Sequence, residues 1–162
     1  MKSKISYNLY VDTNVMVNYF TGQQDDIACL NYIFANVTKN NLFTSSLAMV
    51  QVAQVLQSNK GKPRKKFSVK QVQDCFEKII SKFSILDLTV EDINKSFGKE
   101  IKGDDVEDRI HYIESQKFNC SAIITNDTGH YNNFLGIRIF SPIDMSCPKI
   151  SLQFFVLRPA IA

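Results

Sequence analysis

Short apolar runs alternate with helical patterns along this chain, and the alternation constrains the fold more than any other feature. Five runs have strand character, at residues 7–11, 42–43, 84–88, 121–125 and 137–140. Parallel strands cannot be joined by tight turns and need a crossover, which is usually a helix. The pattern therefore predicts an α/β fold in which helices cover both faces of a parallel sheet.

The segments between these runs have helical periodicity at residues 15–20, 25–37, 47–57, 68–83, 89–97 and 105–117. Ser68 and Gln71 have the spacing of a capping box, and Thr89 and Asp105 are suitable N-terminal residues for the helices that follow them. In the segment 47–57, the pattern predicts that Leu47, Val50 and Val55 pack inward. Gln51 then lies on the polar side of that helix.

Acidic residues stand where two of the predicted strands end. Asp12 follows the first strand, and Asn126 and Asp127 follow the fourth. In open parallel sheets, ligands bind in the crevice at the carboxyl ends of the strands. An acid-rich helix start at residues 103–108 lies between them in sequence. Gathered together, these oxygens would suit a hard divalent cation such as Mg²⁺ or Mn²⁺.

The size and composition predict one cytoplasmic domain. The chain has 162 residues, enough for a sizeable core, and no apolar stretch of about 18 residues that could cross a bilayer. Residues 1–10 lack the apolar stretch of a secretory signal. The four cysteines have no zinc-ligand spacing and are expected to be reduced. We assign residues 1–145 to the domain and residues 146–162 to an apolar C-terminal tail of unassigned role.

Positive charge is concentrated in one segment. Residues 60–70 contain six cations and no acid, although the net charge of the whole chain is only +3. Gly61 and Pro63 indicate a loop between two helices. The loop is either a solvated connection or a contact surface for phosphates. In the second case the contacting side chains would be Lys62, Arg64, Lys65 and Lys66.

Four segments, in this order and at these distances, resemble a PIN domain, and most closely the bacterial VapC-type toxins. They are VDTNV at 11–15, SSLAMVQVAQVL at 45–56, DDVEDRIHYIESQKFNCSAIITND at 104–127 and GIRIFSP at 136–142. The resemblance covers residues 7–144. It implies a three-layer α/β/α domain with a central parallel sheet of about five strands and Mg²⁺- or Mn²⁺-dependent cleavage of single-stranded RNA. It also implies an antitoxin protein as a partner and assembly into a homodimer.

By position, the resemblance implies that Asp12, Asp108 and Asp127 bind the metal and that Asp105 assists them. It also implies that polar residues beside these acids contact substrate, namely Asn14, Thr125 and Asn126. One departure concerns the third helix, where most of the family has a glutamate and this chain has Gln51. An amide oxygen can coordinate or orient a water molecule, but it supplies no negative charge.

Two functions therefore remain open: an endoribonuclease weakened by Gln51, and a weak or inactive PIN domain that binds RNA or a protein. Each acid also has a structural interpretation. Acids in a first helical turn interact favourably with the helix dipole, and Asp12 and Asp127 could be N-caps. His111 and His130 lack metal-binding spacing and are expected to be surface residues.

Overall fold

Five parallel strands form the centre of the protein, in the spatial order β3-β2-β1-β4-β5. The computed structural model describes residues 7–58, 66–99, 101 and 105–146. The strands are β1 Leu9–Val11, β2 Leu42–Ser45, β3 Ser84–Leu86, β4 Ala122–Ile124 and β5 Arg138–Phe140. The predicted parallel sheet of about five strands is confirmed.

The described part of the chain has seven helices, of which the first six lie between strands and the seventh follows β5. They are α1 Thr13–Phe20, α2 Gln24–Asn36, α3 Ser46–Gln57, α4 Val69–Lys82, α5 Val90–Ser96, α6 Val106–Lys117 and α7 Pro142–Ser146. A short 3₁₀ helix, Lys39–Asn41, precedes β2. Six of the seven helices were predicted within a few residues of their observed ends. The short α7 and the 3₁₀ helix were not predicted, because each has too few residues to show a periodicity.

The order of the strands creates one position where ligands are expected to bind. From β1 the chain builds outward through β2 and β3, and it then returns to the other side of β1 to add β4 and β5. In the register of the central pair, Leu9 lies beside Ala122 and Val11 beside Ile124. The carboxyl ends of β1 and β4 are thus neighbours, and the direction of strand addition reverses between them.

Buried side chains pack on both faces of the sheet, because successive residues of a strand point to opposite sides. Leu9 and Val11 belong to the core that contacts α1 to α4 and α7, whereas Tyr10, between them, packs into a second core. This second core contains Tyr131 and Phe134 from the turns after β4. The predicted three-layer α/β/α arrangement is confirmed.

The predicted inward face of α3 is wrong. Val50 is 64% exposed and Val55 is 46% exposed. The buried residues are instead Ala48, Val52 and Leu56, which follow one another at intervals of four and form a single stripe. Apolar residues occur on both sides of this helix, so periodicity alone did not identify the side that faces the core.

Two predicted segments lie outside the described residues. Lys62, Arg64 and Lys65 of the basic loop are among them, whereas Lys66 is described and exposed. The apolar tail lies outside as well, beyond Ser146. Within the described ranges, no helix has the length and hydropathy needed to cross a membrane.

The predicted capping box at the start of α4 is present. Ser68 Oγ accepts a hydrogen bond from the Gln71 backbone N–H at 3.3 Å, and Gln71 Oε1 accepts one from the Ser68 N–H at 2.9 Å. These bonds satisfy two donors that a helix start otherwise leaves unpaired.

We predict that Ser68→Ala lowers the free energy of unfolding by about 1 kcal/mol, the usual cost of losing an N-cap side chain. Urea denaturation measures this change. Ser81→Ala is the control, because Ser81 lies in the last turn of the same helix and its hydroxyl donates only to the Lys78 carbonyl. A loss of equal size in the two variants would contradict the assigned role of the cap.

Candidate functional site

Asp12 lies directly after β1, at the carboxyl end of the central strand, and its carboxylate is buried. Its backbone N–H donates to the Ile124 carbonyl at 3.0 Å, so the residue is held beside the end of β4. Oδ1 accepts a hydrogen bond of 2.6 Å from the Thr13 backbone N–H. Asp12 is therefore the N-cap of α1, as its structural interpretation predicted, and it also faces the crevice between β1 and β4.

A single amide group joins the acids that follow β1 and β4. Asn14 Nδ2 lies 3.1 Å from Asp12 Oδ2 and 2.9 Å from Asp127 Oδ2. The same nitrogen is 3.0 Å from the Thr125 hydroxyl, which donates to Asp12 Oδ2 at 2.8 Å. The predicted residues Asp12, Asn14, Thr125 and Asp127 thus form one hydrogen-bonded cluster.

The side chain of Asn126 does not face Asp12 or Asp127, and it instead holds the loop after β4 in place. Its backbone N–H donates to Asn14 Oδ1 at 3.0 Å, and its side-chain Nδ2 donates to Asp26 Oδ1 at 2.7 Å. Asp26 is buried on α2, and burial raises the pKa of its carboxyl, although hydrogen bonds from Asn126 and Asn18 oppose the increase. Sequence reasoning missed Asp26, because it lies within a helix far from the strand ends in sequence.

Gln51 reaches this cluster from α3. Its Oε1 accepts a hydrogen bond of 2.6 Å from the Thr13 hydroxyl and lies 3.2 Å from His111 Nε2. Its Nε2 donates to Glu107 Oε2 at 2.8 Å. Gln51 is therefore part of the site, at the position where the PIN-domain resemblance implies a glutamate.

The prediction that His111 is a surface residue is wrong. The residue is only 2% exposed, and its Nε2 lies 3.8 Å from Asp12 Oδ1. Its Nδ1 lies 2.7 Å from the Tyr10 hydroxyl and 3.7 Å from Glu114 Oε2. His111 stands three residues after Asp108, on the same side of α6, and this spacing was the signal that could have identified it.

The surroundings of His111 favour its positive charge. Burial by itself lowers the pKa of the imidazole, but the adjacent Glu114 carboxylate and the charge of Asp12 outweigh this effect, and the net shift is upward. Burial and the charge of Glu114 raise the pKa of Tyr10 well above its usual value, so the phenol stays neutral. The buried network thus raises the pKa of the imidazole that lies beside Asp12.

The start of α6 carries Asp105, Glu107 and Asp108, and Asp105 and Asp108 differ in role. Asp105 accepts a hydrogen bond from the Glu107 backbone N–H at 2.7 Å and caps the helix. Asp108 faces the cleft, where its Oδ2 lies 3.2 Å from the Nδ1 of exposed His130. Burial, and then the charges of Asp105 and Asp12, raise the pKa of Asp108, whereas His130 and His111 lower it.

These residues line one cleft with a volume of about 490 Å³. Asp12, Asp108 and Asp127 face it, as does Glu107, which was not among the predicted site residues. No lysine or arginine of the described ranges lines the cleft. Asp105 lies outside it. The cleft therefore has four carboxylates, and the only basic side chain in its described lining is the imidazole of His111.

The donors in the cleft fit a hard divalent cation. Carboxylate and amide oxygens are the ligands that Mg²⁺ and Mn²⁺ prefer, and a cation would relieve the repulsion that raises the pKa of Asp108. In the described part of the chain, no three acidic, histidine or cysteine side chains converge closely enough to form a closed metal centre. This is compatible with Mg²⁺, which keeps several waters and uses few direct carboxylates.

The comparisons with known proteins agree on the fold. A toxin-antitoxin complex from Klebsiella pneumoniae matches with a TM-score of 0.57 and 19% identity, over 83% of this chain and 97% of that chain. DNA-bound VapBC from Salmonella typhimurium gives 0.58 and 14%, over 84% and 98%. VapC20 from Mycobacterium tuberculosis, a sarcin-ricin loop cleaving toxin, gives 0.56 and 9%, over 78% and 96%. The chain has a PIN-like fold.

The PIN-like fold thus confirms the resemblance predicted from the sequence, at the level of architecture. No protein-family model and no curated protein matches the sequence itself. At these identities the structural similarity establishes the fold alone. A function for this protein therefore has to be inferred from the chemistry of the cleft.

We predict that Asp108→Asn stabilises the protein at neutral pH when divalent cations are removed. Because the folded protein raises the pKa of Asp108, it binds this proton more tightly than the unfolded chain does. The resulting stability is present below the unfolded pKa of about 3.9 and is lost as the pH rises through the folded pKa. The asparagine variant avoids that loss.

The measurement is urea unfolding with a chelator at several pH values from 4.5 to 7.5. The advantage of Asp108→Asn over the wild type should grow with pH. Asp74→Asn serves as the control, since Asp74 forms an exposed pair with Lys70. An advantage that does not change with pH would contradict the assigned repulsion.

Proposed function

We propose that this protein is a Mg²⁺- or Mn²⁺-dependent endoribonuclease that cleaves single-stranded RNA, and that it acts as the toxin of a toxin-antitoxin pair. The PIN-like fold supports this proposal, because a toxin-antitoxin complex and a sarcin-ricin loop cleaving toxin share it. Asp12, Asp108 and Asp127 would hold the cation. Asn14, Thr125 and Asn126 would order the cleft around the phosphate.

The observation that carries the proposal is the charge of the cleft. Four carboxylates line it at the end of β1 and β4, and no described lysine or arginine does. An RNA phosphate would be repelled by such a surface unless a cation bridged the two. A divalent cation makes the same carboxylates attract a phosphate, so the composition of the cleft suits metal-dependent phosphodiester cleavage.

The reaction is hydrolysis of a phosphodiester bond. The oxygen of a water molecule bonds to phosphorus, the bond from phosphorus to a ribose oxygen breaks, and a proton from the water ends on that leaving oxygen. A divalent cation held by Asp12, Asp108 and Asp127 would neutralise charge at the phosphate and would activate water. Asn14 donates to both Asp12 and Asp127, and His111 Nε2 lies 3.8 Å from Asp12 Oδ1 in the same cleft.

The proposed partners are inferred from the solved structures that share the fold. Several of them are complexes of a toxin with an antitoxin, some bound to DNA, so an antitoxin protein is the expected regulator of this chain. We also propose a homodimer acting in the cytoplasm. A small gene immediately upstream that encodes a DNA-binding protein would support the toxin assignment.

A second candidate is a PIN-like module that binds RNA or a protein and cleaves little. One observation favours it: the side chain of Gln51 carries no charge, and its amide is already engaged by Thr13 and Glu107. The absence of a closed three-ligand centre among the described residues is consistent with weak metal binding. Metal titration and cleavage assays separate the two candidates.

We predict that Asp12→Asn reduces cleavage of a mixed-sequence single-stranded RNA by at least about 100-fold, more than the loss of a residue that only supports a ligand. The variant loses the buried negative charge but keeps the shape of the side chain. Calorimetric titration with Mn²⁺ should show a parallel loss of affinity. Asp74→Asn, on the exposed side of α4, should change neither measurement.

Cleavage that survives in Asp12→Asn would place the activity elsewhere or in a contaminant. If the wild type neither binds Mn²⁺ nor cleaves RNA, yet still retains RNA or a protein partner, the binding module replaces the enzyme. Circular dichroism of each variant verifies that the fold is intact.

The basic loop is a separate part of the proposal. We predict that neutralising Lys62, Arg64, Lys65 and Lys66 together weakens RNA binding and flattens its dependence on salt. Each lost contact to a single-strand phosphate lowers the slope of log affinity against log salt by about 0.7. Titrations of labelled RNA at several salt concentrations measure both quantities.

A matched variant removes four cations that lie outside the cleft lining, at Lys39, Lys78, Lys82 and Lys95. It should change affinity much less, although its net charge is the same. Equal effects in the two variants would indicate that only the overall charge matters and that the loop is a connection.

A further inference from the structure

The side-chain amide of Gln51 has a single favourable orientation in this cleft, because Glu107 can only accept a hydrogen bond from it whereas Thr13 donates one to it. A carboxylate only accepts hydrogen bonds, so the Glu107 oxygen requires the amide nitrogen, which it meets at 2.8 Å. The amide oxygen then faces the Thr13 hydroxyl at 2.6 Å and His111 Nε2 at 3.2 Å. Gln51 therefore ties Glu107 to the start of α1.

Glu107 differs from the other acids at the start of α6. Asp105 is occupied with capping the helix and does not line the cleft. Glu107 does line it, together with Asp12, Asp108 and Asp127. The fourth carboxylate of the cleft is thus that of Glu107 on α6. It lies next to the side-chain amide of Gln51, whereas the PIN-domain resemblance implies a carboxylate at residue 51 itself.

Glu107 differs in its partners from another glutamate that lies in a first helical turn. Glu91 also occupies a first helical turn, in α5, and its carboxylate is paired with Lys95 one turn later at 2.8 Å. The residue four positions after Glu107 is His111, whose ring faces Gln51 and Asp12. Within the described residues, no lysine or arginine forms a salt bridge with Glu107. Its charge is available to a ligand in the cleft.

We propose that Glu107 supplies the acidic group that the PIN-domain resemblance places at position 51, and that Gln51 is the positioning residue that directs Glu107 toward the bound cation. This inference rests on the proposed metal-dependent function. Glu107 approaches the cleft from the α3 side, whereas Asp108 approaches it from the side of His130. The two carboxylates therefore line the same cleft with different partners, and Glu107 would act on the cation directly or through a water molecule.

The same geometry shows why only one of the two positions is acidic. A carboxylate at position 51 would bring an oxygen to the place from which the amide nitrogen now donates, 2.8 Å from Glu107 Oε2. Two ionised carboxylates at that distance repel each other unless a cation lies between them. One amide and one carboxylate at positions 51 and 107 can therefore hydrogen-bond to each other. Exchanging Gln51 and Glu107 keeps one of each and should preserve the site.

The test uses the full chain and four proteins: wild type, Glu107→Gln, Gln51→Glu, and the exchanged variant that carries both substitutions. Mn²⁺ alone is titrated by calorimetry, and RNA cleavage is measured beside it. Glu107→Gln should lower Mn²⁺ affinity about tenfold, within the range for groups that support a metal site. The exchanged variant, with one acid again, should recover to within about threefold of wild type.

Gln51→Glu should bind Mn²⁺ at least as tightly as wild type, but it should unfold at a lower temperature when cations are removed, because two carboxylates then face each other. The matched control is Glu77→Gln. Glu77 on α4 also accepts a hydrogen bond from a glutamine, Gln73, at 3.0 Å, but it lies outside the cleft. This control should leave Mn²⁺ affinity unchanged.

Gln51→Ala separates positioning from charge. It removes the amide and leaves every acid of the cleft in place, so Mn²⁺ affinity should fall a few-fold while the number of negative charges is constant. Restoring the amide on a shorter side chain in Gln51→Asn should not rescue the loss, since it withdraws the nitrogen from Glu107. Rescue by Gln51→Asn would contradict the proposed contact.

Failure of this inference can be told apart from failure of the proposed function. If Asp12→Asn abolishes Mn²⁺ binding but Glu107→Gln behaves like Glu77→Gln, the function stands and the role of Glu107 is overturned. A weakened Glu107→Gln that the exchange does not rescue also overturns it. If wild type and Asp12→Asn respond to Mn²⁺ equally, the metal-dependent function fails, and the assignment of Glu107 fails with it.

Discussion

The site depends on the adjacency of β1 and β4. These strands are far apart in sequence, yet their pairing brings the residue after each strand to the same edge of the sheet. The amide of Asn14 then bridges Asp12 and Asp127 at 3.1 and 2.9 Å. Two carboxylates held this closely need a donor between them, and Asn14 provides it without adding charge. The reversal of strand order between β1 and β4 is therefore the geometric origin of the acidic cleft.

Behind this cleft, a buried polar network replaces what is ordinarily apolar core. Tyr10 belongs to the central strand and its ring is fully buried, but its hydroxyl contacts Ser45, His111 and Glu114 at 2.7 to 3.1 Å. Burying such groups is costly unless their hydrogen bonds are satisfied. The network offsets part of that cost and holds the imidazole of His111, whose pKa it raises, next to Asp12. Its presence beside the acids, and nowhere else along the strand, connects it with the chemistry of the cleft.

The charge of the cleft opposes folding and favours binding. Burial, together with repulsion from Asp105 and Asp12, raises the pKa of Asp108, so the free protein is less stable than it would be with a neutral side chain there. A bound cation would reverse this repulsion. Functional sites often carry such unfavourable charge, because the groups are arranged for a ligand and not for the stability of the protein without it.

The sequence alone was sufficient to predict the layers of the fold and most of the acids. Strand runs that end in Asp12 and Asp127 predict the edge of the sheet at which the cleft lies, because in a parallel sheet every strand delivers its next residue to the same side. The capping box at Ser68 was also predictable, since it depends on residues three apart. Each of these features is local or follows from a repeated local pattern.

Only the tertiary structure decided which side chains complete the site. The spacing of His111 from Asp108 places both on one side of α6, but only the tertiary structure shows that β1 and α3 enclose the imidazole. The inward face of α3 was predicted incorrectly, because valines occupy both of its sides and only contact with the sheet selects Ala48 and Val52. Glu107 and Gln51 are 56 residues apart. Their pairing depends on how α3 and α6 approach each other across the end of the sheet, and that approach is a property of packing over the whole domain.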